Sequence, residues 1–126
     1  MNAKLLLVDD EPAVLKCLRT ALTRLGYAVT AAASGEEAVA LLARETFDLV
    51  VTDFRMPGLS GAAVAEAARE RLGEVPVLLI TGWVDEVPEW LRSGADALRV
   101  IAKPFTLDQL AAEVRTALAR EAAVPA

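Results

Sequence analysis

Leu49-Val50-Val51-Thr52-Asp53-Phe54-Arg55-Met56-Pro57-Gly58-Leu59-Ser60-Gly61 is an apolar run that ends on a carboxylate and then breaks into a loop. Leu49 to Thr52 read as a buried strand, because aliphatic and β-branched residues run on without polar alternation. Pro57, Gly58 and Gly61 say that the strand has stopped. Asp53 therefore sits at the carboxyl end of a buried strand, the end where open α/β sheets bind ligands. A lone Asp there also suits a turn cap, and the rest of the chain decides between the two.

The same grammar recurs on both sides of this stretch. Ala3 to Val8 is a short apolar run that ends on Asp9-Asp10-Glu11. Pro12 fits the first turn of the helix that follows, which runs to about Leu25 and is stopped by Gly26. That helix carries two adjacent apolar stripes, Leu15, Leu18, Leu22 and Leu25 beside Val14, Cys17 and Ala21. One stripe suffices to dock on a sheet, and the second is either the edge of a wide core contact or a partner-docking face. Tyr27 to Ala32 is a second strand. Ser34 then caps a helix with Glu37 three residues on, and Ala38, Leu41 and Leu42 supply its apolar face.

After the third strand, Gly61 to Leu72 is an Ala-rich helix ended by Gly73. Pro76 to Ile80 is a fourth buried strand followed by Thr81-Gly82, and Trp83 to Ser93 reads as a loop and short helix. Leu98 to Ala102 is a fifth strand followed by Lys103-Pro104-Phe105. Leu107 to Arg120 is the last helix, with Leu107, Leu110, Val114 and Leu118 on one face. Five strands alternating with five helices imply a parallel sheet covered on both faces by right-handed crossovers. Residues 1–120 read as one domain and 121–126 as a short frayed tail with no output domain.

Composition limits the chemistry. The chain has 126 residues, 55% hydrophobic and 25% charged, enough for a real core. The net charge of −5 and the scattered basic residues argue against a nucleic-acid face. No apolar run approaches ~18 residues and no signal pattern opens the chain, so neither a membrane span nor export is expected. One cysteine, Cys17, cannot form an internal disulfide and fits a reducing, cytoplasmic compartment; it reads as a small hydrophobe rather than a reactive thiol. The absence of histidine excludes imidazole ligands and imidazole acid–base chemistry.

Four of the five strands end in polar functional groups: Asp9 and Asp10, Asp53, Thr81 and Lys103. In a parallel sheet all carboxyl ends share one edge, so these groups converge. Three carboxylates in one crevice repel one another, and either one is protonated or a cation joins them. A hard divalent cation such as Mg²⁺ answers that need with oxygen ligands. A carboxylate, a cation, a lysine and a hydroxyl around a small crevice suit a phosphoryl group, and carboxylates can form aspartyl-phosphate.

Val8-Asp9-Asp10-Glu11-Pro12, Asp48 to Gly61, Ile80-Thr81-Gly82 and Ala102-Lys103-Pro104-Phe105, in this order and spacing, resemble the CheY-like receiver domain of bacterial two-component response regulators. The resemblance spans essentially the whole chain. It implies a doubly wound, flavodoxin-like sheet with strand order 2-1-3-4-5. It implies that Asp53 is the phosphoacceptor, supplied by a sensor histidine kinase or phosphotransfer protein, and that an unknown downstream protein responds. Asp9 and Asp10 match the acidic pair that holds Mg²⁺ (or Mn²⁺), with Asp10 and Asp53 as ligands and the Arg55 backbone carbonyl completing the site. Thr81 matches the switch hydroxyl and Lys103 the phosphate-pairing lysine, with a cis bond before Pro104.

The sequence departs from that pattern at Val100, where an aromatic switch ring is usual, in the length of Gly94 to Lys103, and at Trp83. Arg55 and Trp83 occupy the positions that tune dephosphorylation, and their bulk is expected to shield the site and lengthen the life of the phosphorylated form. Val14 and Cys17 are expected to border the kinase-docking surface. Trp90, like Trp83, reads either as packing or as partner surface. A homodimer through the fourth helix, fifth strand and fifth helix is left open, without a charge pattern to support it. The competing reading is a phosphatase of the aspartyl-phosphate hydrolase type. That chemistry wants a second Asp two residues after the nucleophile, where this chain has Arg55. A receiver-like scaffold that has lost phosphorylation would usually lack one of these groups, and all are present.

Overall fold

The computed structural model describes residues 2–89 and 98–123. Five parallel strands are β1 (Lys4–Val8), β2 (Ala28–Ala32), β3 (Leu49–Asp53), β4 (Val77–Thr81) and β5 (Leu98–Ala102). They lie in the order β2-β1-β3-β4-β5. Four helices are described: α1 (Pro12–Arg24), α2 (Gly35–Leu42), α3 (Gly61–Leu72) and α4 (Leu107–Ala123). A single 3₁₀ turn, Val84–Glu86, follows β4. Residues 90–93 of the loop and short helix expected over Trp83 to Ser93, Trp90 included, lie outside the described residues, as does the first part of the Gly94–Lys103 stretch.

Alternation along the strands divides the core in two. Leu6, Val8, Val50, Val77 and Leu79 face α2 and α3, where Ala38, Leu41, Leu42, Val64, Ala65 and Ala68 are buried. Leu5, Leu7, Leu49, Val51, Leu78 and Ile80 face α1 and α4, packing on Leu18, Leu22, Leu110, Val114 and Ala117. The central strands β3 and β4 are buried at every position, as their apolar runs require, and the burial extends to the polar residues at their carboxyl ends. Each such Leu or Ile contributes about 1.5–3 kcal/mol by leaving water.

On α1 only part of the expected stripe docks. Leu18 and Leu22 are buried and Leu15 and Val14 pack at the margin. Leu25 is 52% exposed, because the helix ends one residue earlier and Gly26, at φ 100°, turns the chain away. Leu107 is likewise exposed, at the first turn of α4. That helix continues to Ala123, three residues beyond the expected Arg120.

Local signals account for the helix starts. The Ser34 hydroxyl accepts the Glu37 N–H at 3.1 Å. Ser60 does the same for Ala63 at 3.4 Å. Thr106 and Gln109 form a reciprocal capping box at 2.7 and 3.0 Å.

Candidate functional site

The strand order reverses at β1, between β2 and β3, and the crevice of a doubly wound sheet opens at such a point. Val8 pairs with Thr52 in register, so the next residues of β1 and β3 emerge side by side. These are Asp9 and Asp53, both nearly fully buried. Asp10 follows, half-buried. One oxygen from each of the three carboxylates lies within 4.8 Å of the others. At the other side, the Lys103 N–H donates to the Thr81 carbonyl at 2.8 Å, which extends the β4–β5 ladder by one residue. The Lys103 side chain then reaches across, and Nζ stands 3.1 Å from Asp53 Oδ1. The Lys103–Pro104 bond is cis.

Burial pushes the Asp53 carboxyl above the usual carboxylate range, against the pull of the Lys103 ammonium and with the push of Asp10. Burial raises Asp9 in the same way; the Glu11 N–H, which donates to Asp9 Oδ1 at 2.9 Å, opposes it, and Asp53 adds to it. One lysine thus faces three carboxylates. The donor set is all oxygen and lacks charge balance, which is what a hard divalent cation supplies. Asp9, Asp10 and Asp53 fit Mg²⁺ or Mn²⁺ on these grounds.

The loop after Asp53 is held tightly. A Cβ on Gly61 would come 2.4 Å from the Asp53 carbonyl oxygen and 2.8 Å from Phe54 Cα, so only glycine lets α3 start so close to the strand end. Gly58, at φ +76°, turns the loop over the Glu36 carboxylate of α2.

The other expected site residues are placed as follows. Thr81 is buried, and its hydroxyl accepts the Trp83 N–H at 3.0 Å and donates to the Trp83 carbonyl at 3.3 Å. The Trp83 side chain is 65% exposed. The Arg55 guanidinium leaves the pocket and binds both carboxylate oxygens of Glu86 in the 3₁₀ turn, with Nε 2.8 Å from Oε2. Val100 is half-buried, in the cluster that holds Leu79 and Val87. On α1, Val14 is half-buried against the core, while exposed Cys17 lines a groove shared with Leu107 and Leu110 of α4. Glu86 was not expected at this site; a partner 31 residues from Arg55 leaves no spacing signal in the sequence.

The description "Response regulator receiver domain" fits residues 5–115 as a family model. The chain belongs to the response regulator receiver domain family. This receiver domain is 39% identical over 119 residues to the probable transcriptional regulator ycf27 of Porphyridium aerugineum, covering 93% of this chain and 48% of that protein. The chain thus spans about half the length of the curated relatives it matches. Among solved structures, a response regulator receiver domain protein from Clostridium thermocellum is 27% identical, with TM-score 0.85, covering 98% of this chain and 99% of that one. The receiver domain of a sensor histidine kinase from Pseudomonas aeruginosa PAO1 is also 27% identical, with TM-score 0.79, covering 94% of this chain and 99% of that one. That structure has a magnesium ion coordinated in its active site cleft. Among the described residues of this receiver domain, no helix is long and apolar enough to cross a membrane.

Proposed function

We propose that this receiver domain is a switch set by phosphorylation of Asp53. The phosphoryl group comes from the phosphohistidine of a sensor histidine kinase or phosphotransfer protein. An Asp53 carboxylate oxygen forms the new P–O bond as the P–N bond breaks. The histidine nitrogen leaves with the electron pair and takes its proton from solvent. The observation that carries this reading is the buried Asp53, with Lys103 Nζ at 3.1 Å and two further carboxylates in reach.

Each neighbour has a part. Lys103 balances charge on the transferred group, as cations do in phosphoryl transfer. Asp10 and Asp53, with Asp9 and the Arg55 carbonyl, would hold Mg²⁺ or Mn²⁺, which when bound supplies further charge neutralisation. The Thr81 hydroxyl turns from Trp83 to an oxygen of the modified Asp53, and this movement changes the surface offered to a downstream protein. The domain modifies itself and turns over no external substrate. The residue two after Asp53 is an arginine tied to Glu86, which offers no acid–base group for hydrolysis of a foreign phosphoester.

Incubation with acetyl phosphate and Mg²⁺, followed by mass spectrometry, tests the assignment. The wild type should gain one phosphoryl group and Asp53→Ala none. Equal uptake by the two would place the acceptor on another residue, and uptake by neither would leave a receiver-like scaffold; either result removes Asp53 from this role.

A further inference from the structure

Two features next to the pocket are joined. The Trp83 carbonyl oxygen accepts from the Thr81 hydroxyl at 3.3 Å and also from the Glu86 N–H at 2.9 Å, which closes the 3₁₀ turn. The Trp83 N–H donates back to Thr81 Oγ1 at 3.0 Å. Glu86, the last residue of that turn, is gripped by both arms of the Arg55 guanidinium, two residues beyond Asp53. Val87, immediately after, is fully buried and anchors the same end of the turn. An unbroken chain of polar contacts therefore runs from Arg55 through Glu86 and the Trp83 backbone to the Thr81 hydroxyl. It ties the loop after β3 to the loop after β4.

We propose that the Arg55–Glu86 ion pair is a clasp that holds the Thr81 hydroxyl on the backbone of Trp83, and so sets how readily that hydroxyl turns to a group on Asp53. The second half rests on Asp53 being the acceptor. Arg55 and Glu86 are positioning residues here. With the pair intact, Glu86 and Val87 together hold the last part of the turn, and the Thr81 hydroxyl has a donor and an acceptor already in place. With the pair broken, the last part of the turn loses one of its two anchors and keeps Val87, and the Trp83 backbone parts from Thr81 more often. A bidentate Arg–carboxylate pair has the planar fork geometry that makes a surface ion pair count.

The test has two readouts. In unmodified protein, amide hydrogen exchange by NMR should be faster at Trp83 and Glu86 in Arg55→Gln and in Glu86→Gln. The expected factor is about two- to fivefold, the range an exposed ion pair supplies. The swap Arg55→Glu with Glu86→Arg should restore the wild-type rates. In the presence of acetyl phosphate and Mg²⁺, each single substitution should speed phosphoryl uptake by a similar factor and the swap should reverse it. Unchanged exchange in Glu86→Gln overturns the clasp. Faster exchange with unchanged uptake overturns its control over Thr81. Uptake altered by Arg55→Gln but not by Glu86→Gln, with no rescue by the swap, shows Arg55 acting alone and overturns the pairing. A wild type that takes no phosphoryl group overturns the acceptor reading and the link to Asp53, while the exchange data still judge the clasp by itself.

Discussion

Lys103 Nζ stands 3.1 Å from Asp53 Oδ1, so an ion pair joins the end of β5 to the end of β3 across the intervening β4. The pair is half open to water on the lysine side and buried on the carboxylate side. It is the only basic side chain in contact with the acidic cluster among the described residues.

Lys103→Met should therefore lower the rate of phosphoryl uptake from acetyl phosphate by about a hundredfold, as loss of one preorganised charge at a reacting centre does. Mg²⁺ affinity should not fall, because a competing cation has been removed from the carboxylates. Stopped-flow uptake beside metal titration by calorimetry checks both, and a loss of metal binding would point to a disrupted site instead.

The acidic cluster makes stability depend on pH and on metal. Asp9 and Asp53 ionise at higher pH in the folded chain than in the unfolded one, whose ordinary value is about 3.9. Between the two values the folded state binds more protons, so stability falls as pH rises through that window and stays lower at neutral pH. Asp9→Asn keeps an acceptor for the Glu11 N–H and removes one charge. Its Tm at neutral pH should rise by a few degrees, for roughly 1 kcal/mol. The gain should vanish as pH falls below the ordinary carboxylate value. Mg²⁺ at a hundred times its Kd should stabilise the wild type by about 2.7 kcal/mol, since the cluster exists only in the folded state. A chelator should reverse the shift and Asp10→Asn should abolish it in thermal scans.

Gly61→Ala should destabilise by about 2 kcal/mol or more, read as a lower urea midpoint, because its Cβ meets backbone of Asp53 and Phe54 that cannot move without opening the strand end. Phosphoryl uptake should fall with it, since Asp53 is displaced. Gly82→Ala, whose Cβ meets nothing within 4 Å, should change stability by no more than about 0.5 kcal/mol.

Much of this receiver domain was legible as a string of residues. Uninterrupted apolar runs marked β1, β3 and β4 because strands buried on both faces cannot alternate. Gly26 and Gly73 marked helix ends because both sit at positive φ, at 100° and 70°. Ser34 with Glu37 marked a helix start because the cap is local. The Ser60 cap and the Thr106–Gln109 box carried the same kind of signal and were missed, the second although its Thr-x-x-Gln spacing is a capping box in plain sequence. Leu25 and Leu107 share an apolar stripe with buried neighbours yet stand exposed, since periodicity reports a helix's face but not where the helix meets its neighbour.

The sequence by itself determined which strands end in chemistry: Asp9 and Asp10, Asp53, Thr81 and Lys103 each follow an apolar run, and parallel connection brings all carboxyl ends to one edge. Only the tertiary structure decided how those groups address one another. It paired Lys103 with Asp53, turned the Thr81 hydroxyl to the Trp83 backbone and sent Arg55 to Glu86. The reason is physical. Burial and period are local properties of a chain, whereas contacts between residues far apart in sequence depend on register, loop paths and the reach of long side chains, which no short window of sequence contains.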